Sequence, residues 1–283
     1  MIVEPIPYST RFKNYIQEIK NIYVYKEKIH IPFLVVVVGQ ACTLKCADCA
    51  NLTPYAPTES KSYDQNKINK DLKKILEVAE IDLIQIQGGE PFCYSSLDKL
   101  LKELPTDQKI RIATNGTLIP TENVLNLLKE RKAEVRVSDY GLPQYVEKVK
   151  NLVEKLKQKE IIYSLYHFTM RDGSWIDFGG RYMLSEKNKR IVDDRYWTCS
   201  FGRNCLTLED SILGYCSRST IAPKIQGYKY RRSDYLMLDK IQNKNIFRWY
   251  LVNYTYKKHP MKCCRYCHGM KGKMVKPAIQ LQD

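Results

Sequence analysis

The sequence predicts an α/β fold in which a mostly parallel sheet forms a partial (β/α)6 barrel resembling a TIM barrel. Short apolar runs rich in Val and Ile alternate with segments whose apolar residues recur at helical spacing, a pattern typical of parallel strands covered on both faces. This alternation implies right-handed crossovers, and there are too few units for a closed eight-fold barrel. The predicted strands are residues 33–38, 83–87, 109–113, 134–138 and 161–167.

The predicted helices are supported by apolar stripes and by residues that begin helices. Thr121 suits the cap of the helix after the third strand, and Pro143 suits the first turn of the next one. The predicted helices are residues 10–22, 66–80, 97–104, 121–131 and 143–157. The first has an apolar face formed by Phe12, Ile16, Ile19 and Tyr23, and the second a stripe formed by Ile68, Leu72, Ile75, Leu76 and Ala79.

Length and cysteine content indicate a cytoplasmic protein with metal or redox chemistry. The chain has 283 residues, enough for a sizeable core, and no apolar run approaches the ~20 residues that span a membrane. The first residues lack the features of a signal peptide, so we expect a cytoplasmic location and no membrane partner. Ten cysteines in that setting favour metal sites over disulfides. They fall in two groups, at 42–49 and 199–267, with Cys93 between them.

The charge is strongly basic, with 46 Lys and Arg against 31 Asp and Glu, a formal net charge of +15. Such a charge attracts anions, for example a nucleotide-linked substrate. The lysines are scattered along the predicted helices, however, which is typical of a solvated surface. We therefore do not expect nucleic acid as a partner.

The first cysteine group, Cys42, Cys46 and Cys49, follows the first strand with the spacing C-x3-C-x2-C. Three thiolates on one loop can hold three irons of a 4Fe–4S cluster and leave the fourth iron open to a ligand. Together with Gly88-Gly89-Glu90-Pro91 after the second strand, this motif resembles the radical S-adenosylmethionine (SAM) superfamily. The motifs after the third and fourth strands, Thr114-Asn115-Gly116 and Ser138-Asp139, lie at the same expected sheet edge.

The resemblance implies an enzyme that cleaves SAM reductively to a 5′-deoxyadenosyl radical, with an electron donor such as flavodoxin or ferredoxin. The cofactors it implies are the 4Fe–4S cluster and SAM. The residues that it assigns to SAM binding are Gly88, Gly89, Glu90, Asn115, Ser138 and Arg171.

One position departs from the family pattern. The residue before the third cysteine, usually aromatic in this superfamily, is Asp48 here. The ring that contacts the adenine is therefore unassigned, and Tyr55 and Phe92 are candidates for it.

The second cysteine group resembles a twitch domain, a shortened SPASM domain that holds an auxiliary 4Fe–4S cluster. Residues 206–216 predict a β-hairpin with Asp210-Ser211 as its turn. The resemblance assigns the cluster to cysteines before the hairpin, at its end and in a later C-x2-C pair. These are Cys199, Cys216, Cys264 and Cys267, with Cys205 and Cys263 as alternative ligands. By residue type alone, the pair could also bind zinc.

Two further features bear on the substrate. Cys93, three residues after Glu90, is either a hydrogen-atom donor in an epimerase or a small buried apolar residue. The loop 170–180 contains Asp172, Trp175 and Asp177, which suit a polyhydroxylated sugar, or else connects the barrel to the second domain.

We therefore expect three segments: an N-terminal helical extension over 1–30, the radical SAM barrel over 31–190 and the twitch-like domain over 191–283. The leading hypothesis is hydrogen abstraction from a sugar or nucleotide-sugar carbon, ending in dehydrogenation, dehydration or epimerisation. A peptide-modifying (RiPP) maturase is the alternative, made less favourable by the short stretch before Cys42, and a structural iron–sulfur or zinc protein is the third.

Overall fold

The computed structural model describes residues 8–24, 27–168, 175–256 and 258–282, and within them the strands form a single open sheet. The strand order is β5-β4-β3-β2-β1-β6-β7-β8. The strands are β1 Ile29–Val37, β2 Ala79–Gln87, β3 Ile110–Thr114, β4 Glu134–Asp139, β5 Tyr163–His167, β6 Leu206–Glu209, β7 Ile212–Gly214 and β8 Tyr235–Met237.

The predicted α/β class is confirmed, because β5 through β1 and β6 are parallel and the sheet does not close. The five strands predicted from apolar runs are all present. The sixth parallel strand, however, does not follow β5 at its edge of the sheet. It is β6, which pairs with β1 from Leu34↔Leu206 to Val37↔Glu209.

The helices lie between the strands and beyond them. They are α1 Tyr8–Val24, α2 Gln65–Leu76, α3 Leu97–Glu103, α4 Glu122–Glu130, α5 Val146–Gln158, α6 Lys189–Trp197, α7 Ser200–Asn204, α8 Ser217–Gln226 and α9 Lys244–Tyr256. Thr121 caps α4, since its side chain accepts from the Val124 N–H, as predicted. No helix in the described ranges is long and apolar enough to cross a membrane.

Two details of the predicted helices are wrong. The stripe assigned to the second helix continued to Ala79, but α2 ends at Leu76 and the fully buried Ala79 begins β2. The helix predicted over 143–157 begins later than expected, because Pro143–Tyr145 form a 3₁₀ turn and α5 starts at Val146. Short apolar segments satisfy both helical and strand patterns, so neighbouring elements compete for their ends.

The hairpin of the second cysteine group is confirmed as β6 and β7. Asp210 and Ser211 both have positive φ, 51° and 61°, which is the geometry of a tight two-residue hairpin turn. β7 then pairs with β8, so these strands, which come after residue 190, continue the sheet that begins with β1. The division into domains at residue 190 stays a prediction.

Buried apolar side chains on the central strands hold the sheet between its helical layers. Leu34 and Val36 of β1 are fully buried, as are Ile84 of β2 and Ile112 of β3. Most buried side chains on these strands are apolar, with Gln85 and Thr114 as exceptions, and sheets of this kind place their active sites at the carboxyl ends of the strands.

Candidate functional site

The carboxyl ends of the first four strands carry the predicted motifs at one edge of the sheet. Cys42–Cys49 follow β1, Gly88–Glu90 follow β2, Asn115 follows β3, and Ser138 lies next to the end of β4. The in-register pairing of these parallel strands brings the four motifs together. The four motifs therefore lie at one sheet edge, as expected, and their role as a site stays a prediction.

The loop after β1 brings the three cysteines of the first group close together. Cys46 is buried, and Cys42 and Cys49 are partly buried. Burial, together with the charges of Glu90 and the neighbouring sulfurs, raises the pKa of Cys42 to about 12; burial, together with the charge of Cys49, raises that of Cys46 to about 11. A bound metal reverses this effect, because its positive charge keeps coordinating thiols deprotonated. The three side chains thus suit a cationic iron centre.

The donor set fits a cluster in its type and spacing. Among the described residues, no three His, Cys, Asp or Glu side chains converge in the way that ligands of one metal ion do. A 4Fe–4S cube instead takes one cysteine per iron, so its ligands stand apart around its corners. Three cysteines on one short loop match that requirement.

Glu90 is a buried carboxyl beside this loop. Its Oε1 accepts from the Phe92 N–H at 3.0 Å and from the Thr114 hydroxyl at 2.8 Å, and its Oε2 accepts from the Asn115 N–H at 2.8 Å. Desolvation raises the pKa of Glu90 to about 7 despite these donors. A carboxylate has about four acceptor positions, so Oε2 retains one for a further donor, and a cation there would favour the ionised form.

Gly88 and Gly89 are required by the packing of two loops. A Cβ on Gly88 would overlap the carbonyl oxygen of Gly39, and one on Gly89 would overlap that of Ala41. The backbone N–H groups of Gly89 and Glu90 donate to those same two oxygens, at 2.9 Å and 2.7 Å. The sequence prediction attributed these glycines to a close ligand; the structure adds the close contact between the β1 and β2 loops.

Asn115 fixes the position of the cysteine loop. Its Nδ2 donates to Cys42 Sγ at 3.6 Å and to Thr43 Oγ1 at 3.1 Å. Its Oδ1 accepts from the backbone N–H of Thr117 at 3.0 Å and from the Thr117 hydroxyl at 2.7 Å. The amide is thus engaged within the protein, and its predicted contact with SAM stays a prediction.

An aromatic group that the sequence analysis missed lies beside the cysteines. Tyr140 packs with the cluster of side chains around Cys46, and its hydroxyl is hydrogen-bonded with Ser138. Its ring centroid lies 5.5 Å from that of Phe168 and 4.9 Å from that of Trp175. The available signal was the position of Tyr140 directly after the Ser138-Asp139 motif.

The two rings proposed from the sequence are placed differently. Tyr55 and Phe92 are partly buried and pack against the main hydrophobic core. Tyr140 packs with the smaller cluster that contains the cysteine loop, so it is the better candidate for an aromatic contact there. Asp48 lies near Asp177, and burial followed by the Asp177 charge raises the pKa of Asp48.

Comparison with known proteins decides the family of this part of the chain. The model of the Radical SAM superfamily matches residues 36–162, which include the cysteine loop and the motifs at the first four strand ends. The chain contains a radical SAM domain. That family implies a 4Fe–4S cluster and SAM as cofactors.

Individual relatives of the radical SAM domain are distant. A probable GTP 3′,8-cyclase from Halobacterium salinarum is 29% identical over 89 residues, which are 28% of this chain and 23% of that protein, so the match spans less than a quarter of the relative. The solved structure of anSMEcpe with bound AdoMet has a TM-score of 0.52 and 16% identity, covering 85% of this chain and 88% of that one. BtrN in complex with AdoMet and 2-DOIA has the same TM-score and identity, covering 90% and 100%. These structures support the partial-barrel fold.

Only part of the predicted substrate loop beside the radical SAM domain can be placed. Arg171 and Asp172 lie outside the described residues. Trp175 belongs to the aromatic group of Tyr140, and Asp177 accepts from the Gly179 N–H at 2.7 Å. The Asp177 carboxylate also lies 3.4 Å from Nδ1 of His268, which follows Cys267.

Cys93 lies at the end of a short 3₁₀ turn, Pro91–Cys93, directly after Glu90. Its side chain is exposed, so it is not the small buried residue that the sequence analysis offered as the alternative to a hydrogen donor. Partial burial and then the charge of Glu90 raise the pKa of this thiol. Its position near the strand ends leaves the donor role as a prediction.

The cysteines of the second group are gathered in one region. The charges of Cys216 and Cys267 both act on Cys199. Cys263 is hydrogen-bonded with Cys216 and with Cys264, which lowers the pKa of Cys216 and raises that of Cys263. The structure therefore brings together residues that are 68 positions apart in the sequence.

Hydrogen bonds divide this second group into two kinds. The sulfur of Cys199 accepts from the Gly202 N–H at 3.5 Å, that of Cys267 from the Gly269 N–H at 3.3 Å, and that of Cys216 from backbone N–H groups at the start of α8. Cys205 does the opposite, because its thiol donates to the carbonyl oxygens of Phe201 at 3.0 Å and Tyr215 at 3.5 Å. A sulfur that accepts hydrogen bonds from N–H groups suits a metal-bound thiolate, whereas a sulfur that donates a hydrogen bond must keep its proton.

Arg218 connects the two cysteine groups. Its guanidinium donates to the carbonyl oxygen of Ala50, which follows Cys49, at 3.1 Å, and to that of Tyr266, which precedes Cys267, at 3.2 Å. The side chain is buried, and a third bond reaches the Gly179 carbonyl at 2.8 Å. No spacing in the sequence indicates this residue, because its partners come from three separate segments.

A cleft of about 500 Å³ between α2 and α9 is lined by lysines, including Lys70 and Lys74. Its acidic residues are paired, Glu77 with Lys244 and Glu103 with Lys73. None of the predicted site residues lines it, so it does not belong to the site at the strand ends.

Proposed function

We propose that this chain is a radical SAM enzyme with a second iron–sulfur cluster and that it abstracts hydrogen from a carbohydrate-type carbon. The proposal rests on one observation: at one edge of the sheet, three cysteines of one loop lie beside the buried carboxyl of Glu90, which keeps a free acceptor position. That arrangement offers ligands for a cluster and a partner for an ammonium group side by side.

In the proposed site, Cys42, Cys46 and Cys49 hold a 4Fe–4S cluster. When reduced with SAM bound, this cofactor supplies a 5′-deoxyadenosyl radical that takes hydrogen from the substrate. Glu90 accepts from the methionyl ammonium through Oε2, while Gly88 and Gly89 keep the loop that carries it against the cysteine loop.

The other residues proposed to contact or support SAM are assigned from their positions near the cysteine loop. Ser138 at the end of β4 holds the Tyr140 hydroxyl, so the Tyr140 ring faces the cysteine loop and excludes water there. Asn115 holds that loop in place through Cys42 and Thr43. Arg171 keeps its predicted role toward the methionyl carboxylate as part of the proposal.

The second cysteine group is proposed to hold an auxiliary 4Fe–4S cluster in a twitch-like domain. Cys199, Cys216 and Cys267 are favoured as ligands because backbone N–H groups point at their sulfurs. Cys264 is the fourth ligand, with Cys263 as its alternative, since Cys263 is hydrogen-bonded with both Cys216 and Cys264 and the charge of Cys264 acts on Cys267. A cluster with four protein ligands would accept an electron from a substrate radical or would stabilise the fold.

A carbohydrate substrate is supported by chemistry and by one neighbour. Trp175 in the aromatic group and Asp177 beside it offer the ring and the carboxylate that sugars use, and Asp172 belongs to the same proposed loop. The fold neighbour BtrN, fully covered by this chain, binds 2-DOIA together with AdoMet. The basic net charge of +15 suits a nucleotide-linked sugar and an acidic electron donor such as flavodoxin or ferredoxin.

The experiment that tests the activity is anaerobic. The chain is reconstituted with iron and sulfide, reduced with dithionite and given SAM, and 5′-deoxyadenosine is quantified beside the Cys42/Cys46/Cys49→Ala triple variant. We expect product from the wild type and none from the variant. Absence of product in the wild type, with iron still bound through the later cysteines, would make the chain a structural metal protein.

The substrate class is tested by adding candidate substrates to the same assay. A carbohydrate enzyme should form more 5′-deoxyadenosine with nucleotide sugars or aminocyclitols and should not respond to peptides. A response to peptides alone would favour a maturase. In deuterated water, Cys93→Ala should lose label incorporation if Cys93 returns the hydrogen atom, whereas unchanged incorporation would remove it from that role.

A further inference from the structure

A segment remote in sequence covers the cysteine loop of the radical SAM domain. We call residues 273–282 the cover segment. One end of it pairs with residues 175–177, beside the aromatic group, and the other end pairs with residues 45–47, between the cysteines. The four backbone hydrogen bonds are Asp177 N to Lys273 O at 2.9 Å, Val275 N to Trp175 O at 3.0 Å, Ala47 N to Ile279 O at 2.8 Å and Leu281 N to Lys45 O at 2.8 Å.

Gln280 is the residue of the cover segment that reaches a cysteine. Its Oε1 accepts from the Lys45 N–H at 2.8 Å, which fixes the orientation of the amide. Its Nε2 then donates to Cys46 Sγ at 3.6 Å and to the Ala278 carbonyl at 2.7 Å. Both N–H groups of this amide and one of the two acceptor positions of its oxygen are therefore used in holding the cover segment to the cysteine loop.

The turn before Gln280 is anchored in place. Ala278 is buried and packs with Leu44 and Cys46. Its φ is +50°, in the left-handed region that residues with a Cβ seldom adopt. A buried residue held in that conformation indicates that packing against the cysteine loop determines the path of the segment.

We propose that Gln280 is a positioning residue that donates a hydrogen bond to the Cys46 thiolate and thereby raises the reduction potential of the cluster on this loop. The proposal rests on Cys46 being a cluster ligand. A donor at a ligating sulfur withdraws electron density, which favours the reduced cluster, and exclusion of water by the cover segment makes the effect of that donor stronger.

The test compares Gln280→Leu, Gln280→Glu and a matched control, Gln282→Leu, whose residue is exposed on the same segment. The reconstituted proteins are titrated with reductant, and the midpoint potential is followed by electron paramagnetic resonance. The signal that changes when SAM is added identifies the open cluster. We expect a more negative midpoint in Gln280→Leu, a still more negative one in Gln280→Glu, and no change in Gln282→Leu.

Unchanged midpoints in both Gln280 variants would overturn the proposal, as would equal shifts in all three proteins. A second readout applies to the cluster-free chain: alkylation of Cys46, followed by peptide mass spectrometry with Cys49 as reference, should become several-fold slower in Gln280→Leu, because the Cys46 thiolate loses the hydrogen-bond donor that stabilises it. An unchanged rate there would also overturn it. A Cys46→Ala protein that keeps the SAM-responsive signal would instead contradict the ligand assignment, which is a separate result.

Discussion

Glu209 is a buried carboxyl whose charge can be removed while its hydrogen bonds are kept. Its Oε1 accepts from Gln40 Nε2 at 2.7 Å and from the Tyr63 hydroxyl at 2.9 Å. Its Oε2 accepts from the Thr220 hydroxyl, which is also placed to donate to the Ser217 carbonyl at 2.8 Å. Burial raises the pKa of Glu209 above its ordinary value.

A carboxyl whose pKa is raised by folding costs stability as the pH rises above its unfolded value of about 4.3. In Glu209→Gln, Oε1 can accept the same two bonds and Nε2 can donate to Thr220. We expect the variant to unfold with a higher free energy than the wild type near pH 8, by on the order of 1 kcal/mol. Urea unfolding of the cluster-free chain at several pH values checks this. The gain should shrink as the pH falls; a gain independent of pH would contradict the explanation.

Cys205 is a cysteine of the second group that its hydrogen bonds to backbone carbonyl oxygens mark as a thiol. Because it donates to two carbonyl oxygens, we expect Cys205→Ala to keep its full iron after reconstitution. Cys216→Ala and Cys267→Ala should each lose about four iron atoms per chain, the content of one cluster. Iron analysis with sulfide analysis measures this. Equal losses in all three variants would show that Cys205 is a ligand.

At the scale of elements, the contact between the β1 and β2 loops depends on two glycines. Gly88→Ala would push its Cβ against the Gly39 carbonyl, which belongs to rigid backbone. We expect a loss of about 1–3 kcal/mol in the free energy of unfolding and poorer cluster assembly, because Glu90 and the cysteine loop separate. Gly180→Ala is the control, since a Cβ there meets nothing within 4 Å. Thermal unfolding and iron content measure both variants, and equal behaviour of the two would contradict the packing argument.

The elements show which parts of the structure local sequence determines. Strand positions follow from Val- and Ile-rich runs, and the 206–216 hairpin follows from a turn in which Asp210 and Ser211 adopt positive φ. The first four motifs of the site were also predictable, because parallel strands end at one edge. Whether β6 pairs with β1 or with β5 depends on long-range packing, which no local pattern encodes.

The same reason explains the site residues that sequence reasoning missed. Tyr140, Arg218 and Gln280 act through partners on distant segments, and none of them belongs to a spaced motif. Arg218 and Gln280 contact the cysteine loop from 168 and 234 residues away. Residues that recognise a loop from another element leave no periodic signal near it.

At the scale of the molecule, the two cysteine groups share one continuous support. Hydrogen bonds connect the residues that follow Cys216 with those that follow Cys49. The Ser217 hydroxyl lies 2.6 Å from Asn51 Oδ1, and Arg218 donates to the Ala50 carbonyl. β6 and β7, which come shortly before Cys216 in the chain, belong to the same sheet as β1, which leads into the first cysteine group. We therefore expect a change at one cysteine group to disturb the other.

Arg218 is a side chain at which this coupling can be tested, because it contacts residues next to both cysteine groups. Among the described residues its bonds go to carbonyl oxygens, so the thiolates of Cys216 and Cys267 are the negative charges that its cation favours. Arg218→Met would remove the donor from three carbonyl oxygens, of which the bond to Gly179 is buried and those to Ala50 and Tyr266 are partly buried. A buried polar group left without a partner costs about 1–3 kcal/mol. Lys at this position keeps the charge but cannot form the same fork of bonds.

We expect Arg218→Met to melt at a lower temperature than the wild type and to lose iron from both cysteine groups, with Arg218→Lys intermediate. Arg232→Met, at an exposed arginine, is the matched control. Iron content and thermal unfolding are measured for each protein, and the SAM-responsive resonance signal reports on the first group alone. If Arg218→Met keeps both clusters and melts with the control, the two groups are independent. If it loses only the second cluster while the SAM-responsive signal stays intact, the arginine serves the auxiliary site and the connection through Ala50 carries no coupling.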